Sequence, residues 1–224
     1  MSSPVADLPG SRRLVLLRHG QTAWNAERRA QGHADVELDD TGRAQAAAVA
    51  PYVAAMRPRY VWSSDLARAR ETGACVAAEA GLELRLDDRL REYHLGERTG
   101  ITMAEYAAAY PDEYRAYRSG RYDVVPGGET TEQVVARVSD CVREAMDALE
   151  AGECGVLVGH GAALKVSLLA ILGWPDELAA TVEALHNCCW AELRDSGVDG
   201  GLRLSAYNRR AEGDPDFASP DSVG

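Results

Sequence analysis

Short apolar runs alternate with stretches of helical periodicity along most of this chain. The runs that predict strands are Leu14 to Leu17, Tyr60 to Trp62, Leu84 to Leu86 and Val156 to Val158, and helical spacing covers about 40–56, 65–80, 131–150 and 162–172. This alternation is typical of a parallel sheet covered by helices. The pattern therefore predicts an α/β fold with a mostly parallel central sheet and helices on both of its faces.

Three regions depart from this pattern. Residues 1–12 and 209–224 are rich in Ser, Pro, Asp and Gly, so we expect flexible tails on either side of one domain, 13–208. Residues 93–128 carry six tyrosines among charged residues. This texture predicts a small, partly helical cap inserted over the edge of the sheet.

Two late segments alternate enough to be strands. They are Cys188 to Leu193 and Leu202 to Ala206. We expect the first to be an edge strand, which either pairs with a second copy in a homodimer or lies covered.

Composition limits the partners. The chain has 224 residues, a net charge of -11 and a pI near 4.9, which argues against general binding to nucleic acid or anionic membranes. No segment has the length of a membrane span or the apolar stretch of a signal peptide. The cysteines Cys75, Cys141, Cys154, Cys188 and Cys189 lack metal-binding spacing, which predicts free thiols in a reducing compartment. We therefore expect a soluble protein in the cytoplasm.

Two predicted strands end directly in a histidine followed by a glycine. Leu14 to Leu17 runs into Arg-His-Gly and Val156 to Val158 into Gly-His-Gly, which places His19 and His160 at strand ends. Open α/β sheets bind ligands beyond the carboxyl ends of their strands, where helix N-termini offer N–H groups to anions. A single histidine there is more often structural, but two of them with Arg18 alongside favour an anion site.

Further charged residues follow the next strands. Arg68 and Arg70 lie two apart and point in different directions on a helix, so Arg68, in the first turn, is the better candidate to face the site. Ser64 or Asp65 is a candidate cap for this helix. Glu92 lies among apolar and aromatic neighbours in sequence, surroundings that suit a proton donor near neutral pH.

The order of these motifs resembles the histidine phosphatase superfamily, also called the phosphoglycerate-mutase-like family. The matching segments, from residue 14 to about 170, are LLRHGQTAWN, AQGHADVELDDTGRAQA, SSDLARARETG, LREYHLG, PGGET and VGHGAALK. Arg-His-Gly alone is a weak signal, whereas the ordered set is specific. The resemblance implies a phosphoglycerate-mutase-like fold and phosphoryl transfer that uses no cofactor and no metal.

The resemblance also implies roles for individual residues. His19 is the nucleophile that accepts the phosphoryl group, and Glu92 is the proton donor. The residues expected to hold the phosphate are Arg18, Asn25, Gln31, Arg68, His160 and Gly161. A neutral imidazole can attack phosphorus if a hydrogen bond to a backbone carbonyl orients its other nitrogen, and arginines stabilise the charge that develops on phosphate. We expect Gly20 to leave room for the phosphate beside the backbone.

Two features distinguish branches of the family. Glu92 is followed by Tyr-His-Leu-Gly where mutases typically have Arg-His-Tyr-Gly, and the cap ends in Pro-Gly-Gly-Glu-Thr. Both resemble the phosphatase branch, which hydrolyses the phosphohistidine. The expected function is a metal-independent phosphomonoesterase acting on small phosphorylated metabolites of the sugar phosphate or phosphoglycerate type. The alternatives are a cofactor-dependent phosphoglycerate mutase and a non-enzymatic regulator that binds a phosphorylated ligand.

Arg98 departs from the family pattern, because the resemblance places a tryptophan there in Gly-x-Trp-x-Gly. Two interpretations are open. Arg98 is either a neutral surface change or a contact to a second anionic group on the substrate.

Overall fold

A computed structural model describes residues 10–119, 121, 124–195 and 201–211. Within these ranges the strands are β1 (Arg13–Arg18), β2 (Val61–Ser63), β3 (Leu84–Leu86), β4 (Cys154–Gly159), β5 (Trp190–Asp195) and β6 (Leu202–Arg209). They form one sheet in the order β3-β2-β4-β1-β5-β6. The four strands from β3 to β1 are parallel, whereas β5 runs antiparallel to β1 and β6 antiparallel to β5. The predicted mostly parallel sheet is confirmed.

Helices cover both faces of this sheet. They are α1 (Ala23–Ala26), α2 (Asp40–Ala54), α3 (Ala67–Ala80), α4 (Met103–Ala109), α5 (Pro111–Arg118), α6 (Thr131–Asp147) and α7 (Gly161–Ile171). Alternate residues of β1 enter different cores: Leu14 and Leu16 pack with α6 and α7, and Val15 and Leu17 pack with α2 and α3. Because both faces are buried, β1 reads as an unbroken apolar run.

The N-termini of α6 and α3 show how far local sequence signals predict the capping residue of a helix. At α6, Thr130 and Gln133 form a capping box, the arrangement typical of a Thr followed three residues later by a Gln. At α3 the predicted cap is wrong, since the N-cap is Leu66 and neither Ser64 nor Asp65 caps the helix. The Ala67 N–H instead donates to the Asp35 carboxylate at 2.6 Å, and Asp35 lies in a segment that is distant in sequence.

The cap region contains α4 and α5, which confirms its partly helical character. Tyr106 is buried there, and its ring packs against Tyr110, Tyr114 and Tyr117. Aromatic packing of this kind stabilises a small unit that contributes no strand to the sheet.

The late strands differ from the expectation. Strand β5 lies between β1 and β6, so the segment Cys188 to Leu193 is not an edge strand, and the long edge belongs to β6. Of the two alternatives, the covered one is confirmed, because β1 and β6 occupy both sides of β5. Pairing of two copies through β5 is therefore wrong, while a homodimer as such stays a prediction. All five cysteines lie in the described ranges, and none of them forms a disulfide there.

The predicted flexible tails, 1–12 and 209–224, lie largely outside the described residues. Of the described part, Arg12 hydrogen-bonds Asp195 at 2.8 Å and Ala211 is buried. No helix in the described ranges combines the length and apolar character needed to cross a bilayer.

Candidate active site

The carboxyl ends of β1, β2 and β4 meet at one edge of the sheet, where a cavity of about 280 Å³ opens. The predicted site residues that line it are Arg18, His19, Asn25, Gln31, Arg68, Glu92 and Gly161. His160 stands beside the cavity, with its ring centroid 5.1 Å from that of His19. The structure therefore brings all eight predicted residues to one place.

His19 is held as a neutral imidazole at the end of β1. Its side chain is buried, and Nδ1 lies 2.6 Å from the Gly20 carbonyl oxygen. Because a carbonyl only accepts, Nδ1 carries the hydrogen and the lone pair resides on Nε2. Burial, reinforced by the charges of Arg68 and Arg18, lowers the pKa of His19 well below 6.5. This is the orientation that a nucleophilic histidine needs.

His160, the N-cap residue of α7, lies at the same place. Its Nε2 is 3.0 Å from the Ser64 hydroxyl oxygen, which also accepts from the Leu66 N–H at 3.3 Å. In the tautomer in which Ser64 donates to Nε2, His160 Nδ1 carries the ring hydrogen and can donate it to an anion. Burial, with the charges of Arg68 and Arg18 and the His19 ring, lowers the pKa of His160 and keeps the imidazole neutral.

The guanidinium groups of Arg18 and Arg68 are each anchored by hydrogen bonds that use only some of their N–H donors. Arg68 is 1% exposed and donates to the carbonyls of Gly32 and Ala34 at 2.8 Å each, while Arg18 donates to the Leu185 carbonyl at 2.7 Å. Burial lowers the pKa of Arg68 to about 10, so it stays charged at neutral pH. The prediction that Arg68 rather than exposed Arg70 faces inward is confirmed.

Three buried nitrogens at this edge lack a hydrogen-bond partner among the described residues. They are Arg18 Nε, Arg68 Nε and His160 Nδ1. An unsatisfied buried donor costs about 1–3 kcal/mol, more when it is charged. A bound anion offers the acceptor oxygens that these donors lack, so the cluster is a candidate anion site.

Glu92 is held differently from the sequence-based expectation. Its carboxylate accepts backbone N–H bonds from Tyr93 at 3.0 Å, Ala162 at 3.1 Å and Ala163 at 2.9 Å. The expected apolar surroundings are therefore wrong: the first turn of α7 provides polar contacts and a favourable dipole. These bonds fix the carboxyl group at the cavity wall.

Asn25 and Gln31 supply amide groups to the cavity. Asn25 Oδ1 accepts from the Thr22 backbone and hydroxyl at 3.1 Å each, and from Asn187 at 3.4 Å, which leaves its NH₂ group as the one to offer a ligand. Gln31 is 8% exposed, and its Oε1 has no partner within the described part of the chain. The Asn25 NH₂ group can therefore donate to a phosphate oxygen, whereas Gln31 Oε1 can accept from a hydroxyl group of the ester.

Two glycines at the site serve close packing. A Cβ on Gly20 would lie 2.5 Å from the Gly42 carbonyl oxygen in α2, so Gly20 admits the helix, and the expectation that it makes room for phosphate is wrong. A Cβ on Gly161 would lie 3.2 Å from Arg18 Nε. Gly161 thus lets the Arg18 guanidinium lie across the start of α7.

Arg98 lies in the cap and is not a surface residue. Its side chain is 5% exposed, donates to Glu113 through Nε at 2.8 Å and Nη2 at 3.0 Å, and stacks on the Tyr110 ring. The interpretation as a neutral surface change is wrong, because Arg98 is buried and ion-paired in the cavity wall. A contact to a second anionic group stays a prediction.

Three residues of the site have roles that the sequence does not indicate. Ser64 orients His160, Asn187 donates to the His19 carbonyl at 3.0 Å, and Arg137 contacts the main chain around Glu92. Each acts through a tertiary hydrogen bond, which periodicity does not reveal. Across the described ranges no group of three or more His, Cys, Asp or Glu side chains is placed to hold a metal ion.

The two buried histidines predict acid-sensitive stability. The unfolded chain takes up protons on both below about pH 6.5, whereas the folded chain does not, so stability falls as the pH falls. We expect urea unfolding in phosphate-free buffer to show a loss of about 2 kcal/mol between pH 7 and 5.5. His19→Gln should show a clearly smaller loss, and His186→Gln, at a side chain 54% exposed, should match the wild type. An equal loss in His19→Gln would contradict this account.

Fold and site together define an α/β protein with a candidate anion site around a neutral histidine at the carboxyl edge of a mostly parallel sheet. The chain matches the family model of the histidine phosphatase superfamily (branch 1) over residues 14–209. It belongs to this superfamily.

Individual relatives agree with this assignment. A glucosyl-3-phosphoglycerate phosphatase from Mycolicibacterium vanbaalenii is 37% identical over 210 residues, which are 91% of this chain and 88% of that protein. Phosphoglycerate mutase-like protein 4 from Arabidopsis thaliana is 42% identical over 156 residues, 68% of this chain and 67% of that protein. The solved structure of a mycobacterial glucosyl-3-phosphoglycerate phosphatase with VO3 has a TM-score of 0.82 at 36% identity, and covers 88% of this chain and 98% of that one. The predicted family and fold are confirmed, and the chain is a phosphoric monoester hydrolase.

Proposed function

We propose that this enzyme hydrolyses a small phosphorylated sugar acid of the glucosyl-3-phosphoglycerate type through a phosphohistidine intermediate. The observation that carries the proposal is the set of three unpartnered buried nitrogens, Arg18 Nε, Arg68 Nε and His160 Nδ1, around a neutral His19. A nucleophile and a preorganised anion site are the two parts that phosphoryl transfer needs.

In the first step His19 Nε2 attacks phosphorus, the P–O bond to the alcohol breaks, and its electron pair stays on the leaving oxygen. Arg18, Arg68 and His160 stabilise the charge that spreads over the other phosphate oxygens. Glu92 gives a proton to the leaving alkoxide. Its Oε1 already accepts two N–H bonds and its Oε2 only one, so Oε2 is the better placed atom to carry that proton.

In the second step water attacks the phosphohistidine. Glu92, now a carboxylate, takes a proton from the water as the N–P bond breaks, and inorganic phosphate leaves. His19 Nε2 recovers its lone pair. The cycle therefore needs only water as its second substrate.

The charge of the cavity supports a substrate with more than one anionic group. Its lining holds the five arginines Arg18, Arg28, Arg29, Arg68 and Arg98 against the single acidic residue Glu92, in a chain of net charge -11. Glu27 pairs with Arg29 and Glu113 with Arg98, which moderates this excess. A substrate with a phosphate and a carboxylate matches the excess positive charge of the cavity lining.

Aromatic side chains line the same cavity. They are Trp24, Tyr93, Tyr106 and Tyr117. Flat apolar rings next to arginines suit a sugar ring that carries an acidic group, and the mycobacterial relatives are named for such a substrate, glucosyl-3-phosphoglycerate.

A substrate panel tests this proposal. We expect the purified protein to release phosphate from glucosyl-3-phosphoglycerate with a kcat/KM at least about tenfold above that for glucose 6-phosphate, which lacks the carboxylate. Release should need no bisphosphoglycerate and should persist with a chelator present.

Other outcomes would favour the alternatives. Isomerisation of 3-phosphoglycerate that outruns phosphate release once bisphosphoglycerate is added would assign a mutase. Binding of these esters without turnover would assign a regulator. Activity lost to the chelator and restored by a divalent metal would contradict the mechanism.

A further inference from the structure

Arg137, on α6 and outside the cavity lining, holds the segment that carries Glu92. Its Nη1 donates to the carbonyls of Arg89 at 2.8 Å and Arg91 at 2.6 Å, and its Nη2 donates to the carbonyl of Glu92 at 2.8 Å. Nε and Nη2 also donate to the Glu129 carboxylate at 2.9 and 2.8 Å. All five N–H donors of the guanidinium are therefore used.

The hydrogen bonds from Arg137 hold a segment that has no regular secondary structure. A 3₁₀ turn ends at Leu90, and residues 91–94 belong to no helix or strand. Without Arg137, the carbonyls of Arg89 and Arg91 would lack the hydrogen bonds that it gives them, and the Glu92 carbonyl would keep only its bond from His33, so the main chain there would be free to shift. Arg137 supplies a rigid partner, because α6 packs firmly against the core.

Glu92 is consequently held at both ends. At its carboxyl group the first turn of α7 donates two N–H bonds, from Ala162 and Ala163. At its backbone carbonyl, Arg137 and His33 Nε2 donate, each at 2.8 Å. The position of the carboxyl group over the cavity depends on both sets of bonds.

Glu129 completes the anchor. Burial opposes its ionisation, but hydrogen bonds from Arg137 and from the His94 N–H outweigh this and lower the pKa of Glu129. The Arg137 guanidinium is thus fixed by a charged partner at the same time as it fixes the main chain.

We propose that Arg137 is a positioning residue for Glu92, which sets the carboxyl group where it can protonate the leaving group. The inference rests on the proposed role of Glu92 as proton donor. Lysine cannot replace Arg137, because an ammonium group has three donors and no planar fork for several carbonyls and a carboxylate.

The test compares Arg137→Lys with Arg143→Lys, a matched control on the same helix whose side chain is 65% exposed and bonds Asp140. The readout is the single-turnover rate of phosphoenzyme formation from glycerol 3-phosphate, an alkyl ester, and from p-nitrophenyl phosphate. Misplacement of a catalytic group by about 1 Å costs up to about 100-fold, so we expect Arg137→Lys to lose about 10- to 100-fold on the alkyl ester. On the aryl ester the loss should stay below about threefold, since that leaving group needs no proton. Arg143→Lys should match the wild type on both.

Glu92→Gln, measured in parallel, separates the two ideas. Equal losses on both esters in Glu92→Gln would overturn the proposed role of Glu92 itself. A preferential alkyl loss in Glu92→Gln but equal losses in Arg137→Lys would overturn the positioning role alone. Adding Arg137→Lys to Glu92→Gln should cause no further alkyl-specific loss, because both changes act on one group.

A second variant covers the case in which Arg137→Lys does not fold. Glu129→Gln weakens the anchor of the guanidinium but leaves Arg137 in place, and Glu129 is 22% exposed, so the change is milder. We expect the same alkyl-specific loss in smaller amount. Equal losses on the two esters in this variant would also overturn the inference.

Discussion

Replacing His19 with alanine should abolish phosphate release, with a loss of at least about 10⁴-fold in kcat, because no covalent intermediate can then form. His19 Nε2 carries the lone pair that attacks phosphorus, since Nδ1 is committed to the Gly20 carbonyl. Removal of the ring leaves the anion site with no nucleophile in reach. Rapid quenching of the wild type with radiolabelled substrate should trap a phosphoenzyme that is labile in acid and stable in base, and His19→Ala should trap none.

Two controls make this result specific. His186→Gln changes an exposed histidine that is not part of the cavity lining and should keep full activity. His19→Ala should still bind inorganic phosphate, because Arg18, Arg68 and His160 remain. Label that is stable in acid, or residual turnover close to the wild-type rate in His19→Ala, would contradict a histidine nucleophile.

The parts of the fold that the sequence predicts are those with a local cause. β1 and β4 are buried on both faces, so each appears in the sequence as an unbroken apolar run. α6 begins at its own capping box and carries an apolar stripe. The cap of α3 has no local cause, because its first N–H donates to Asp35, which lies 32 residues away in sequence.

The candidate site likewise has a part that the sequence predicts and a part that depends on tertiary structure. His19, Arg68 and His160 follow strand ends, so the topology of an open α/β sheet brings them together once the strands are recognised. The surroundings of Glu92 depend on where α7 begins relative to a segment without regular structure, which is a tertiary feature. Strand β5 illustrates the same limit, because only the whole sheet shows that β6 covers it.

Glu92→Gln should impair phosphoenzyme formation by about 10²- to 10⁴-fold for an alkyl phosphate and far less for p-nitrophenyl phosphate. An alkoxide is a poor leaving group that needs a proton as the P–O bond breaks, whereas nitrophenolate leaves without one. Glutamine preserves the size of the side chain and one oxygen, which can accept the Tyr93 and Ala163 N–H bonds, so the change removes the proton and the acceptor of the Ala162 N–H. Single-turnover rates are the correct measurement, because slow hydrolysis of the phosphohistidine would hide the difference in steady state.

Equal losses on the two esters would remove Glu92 from the acid role and direct attention to its ionisable neighbours. Glu97 has a side chain 72% exposed, and His94 bonds the Gly127 carbonyl at 3.1 Å; neither is among the residues that line the cavity. Of the carboxyl groups in the described ranges, Glu92 alone lines the cavity that also holds His19. A leaving-group dependence that appears in Glu92→Gln and is absent from Glu97→Gln would therefore tie the proton to the one carboxyl group that the first turn of α7 holds beside the nucleophile.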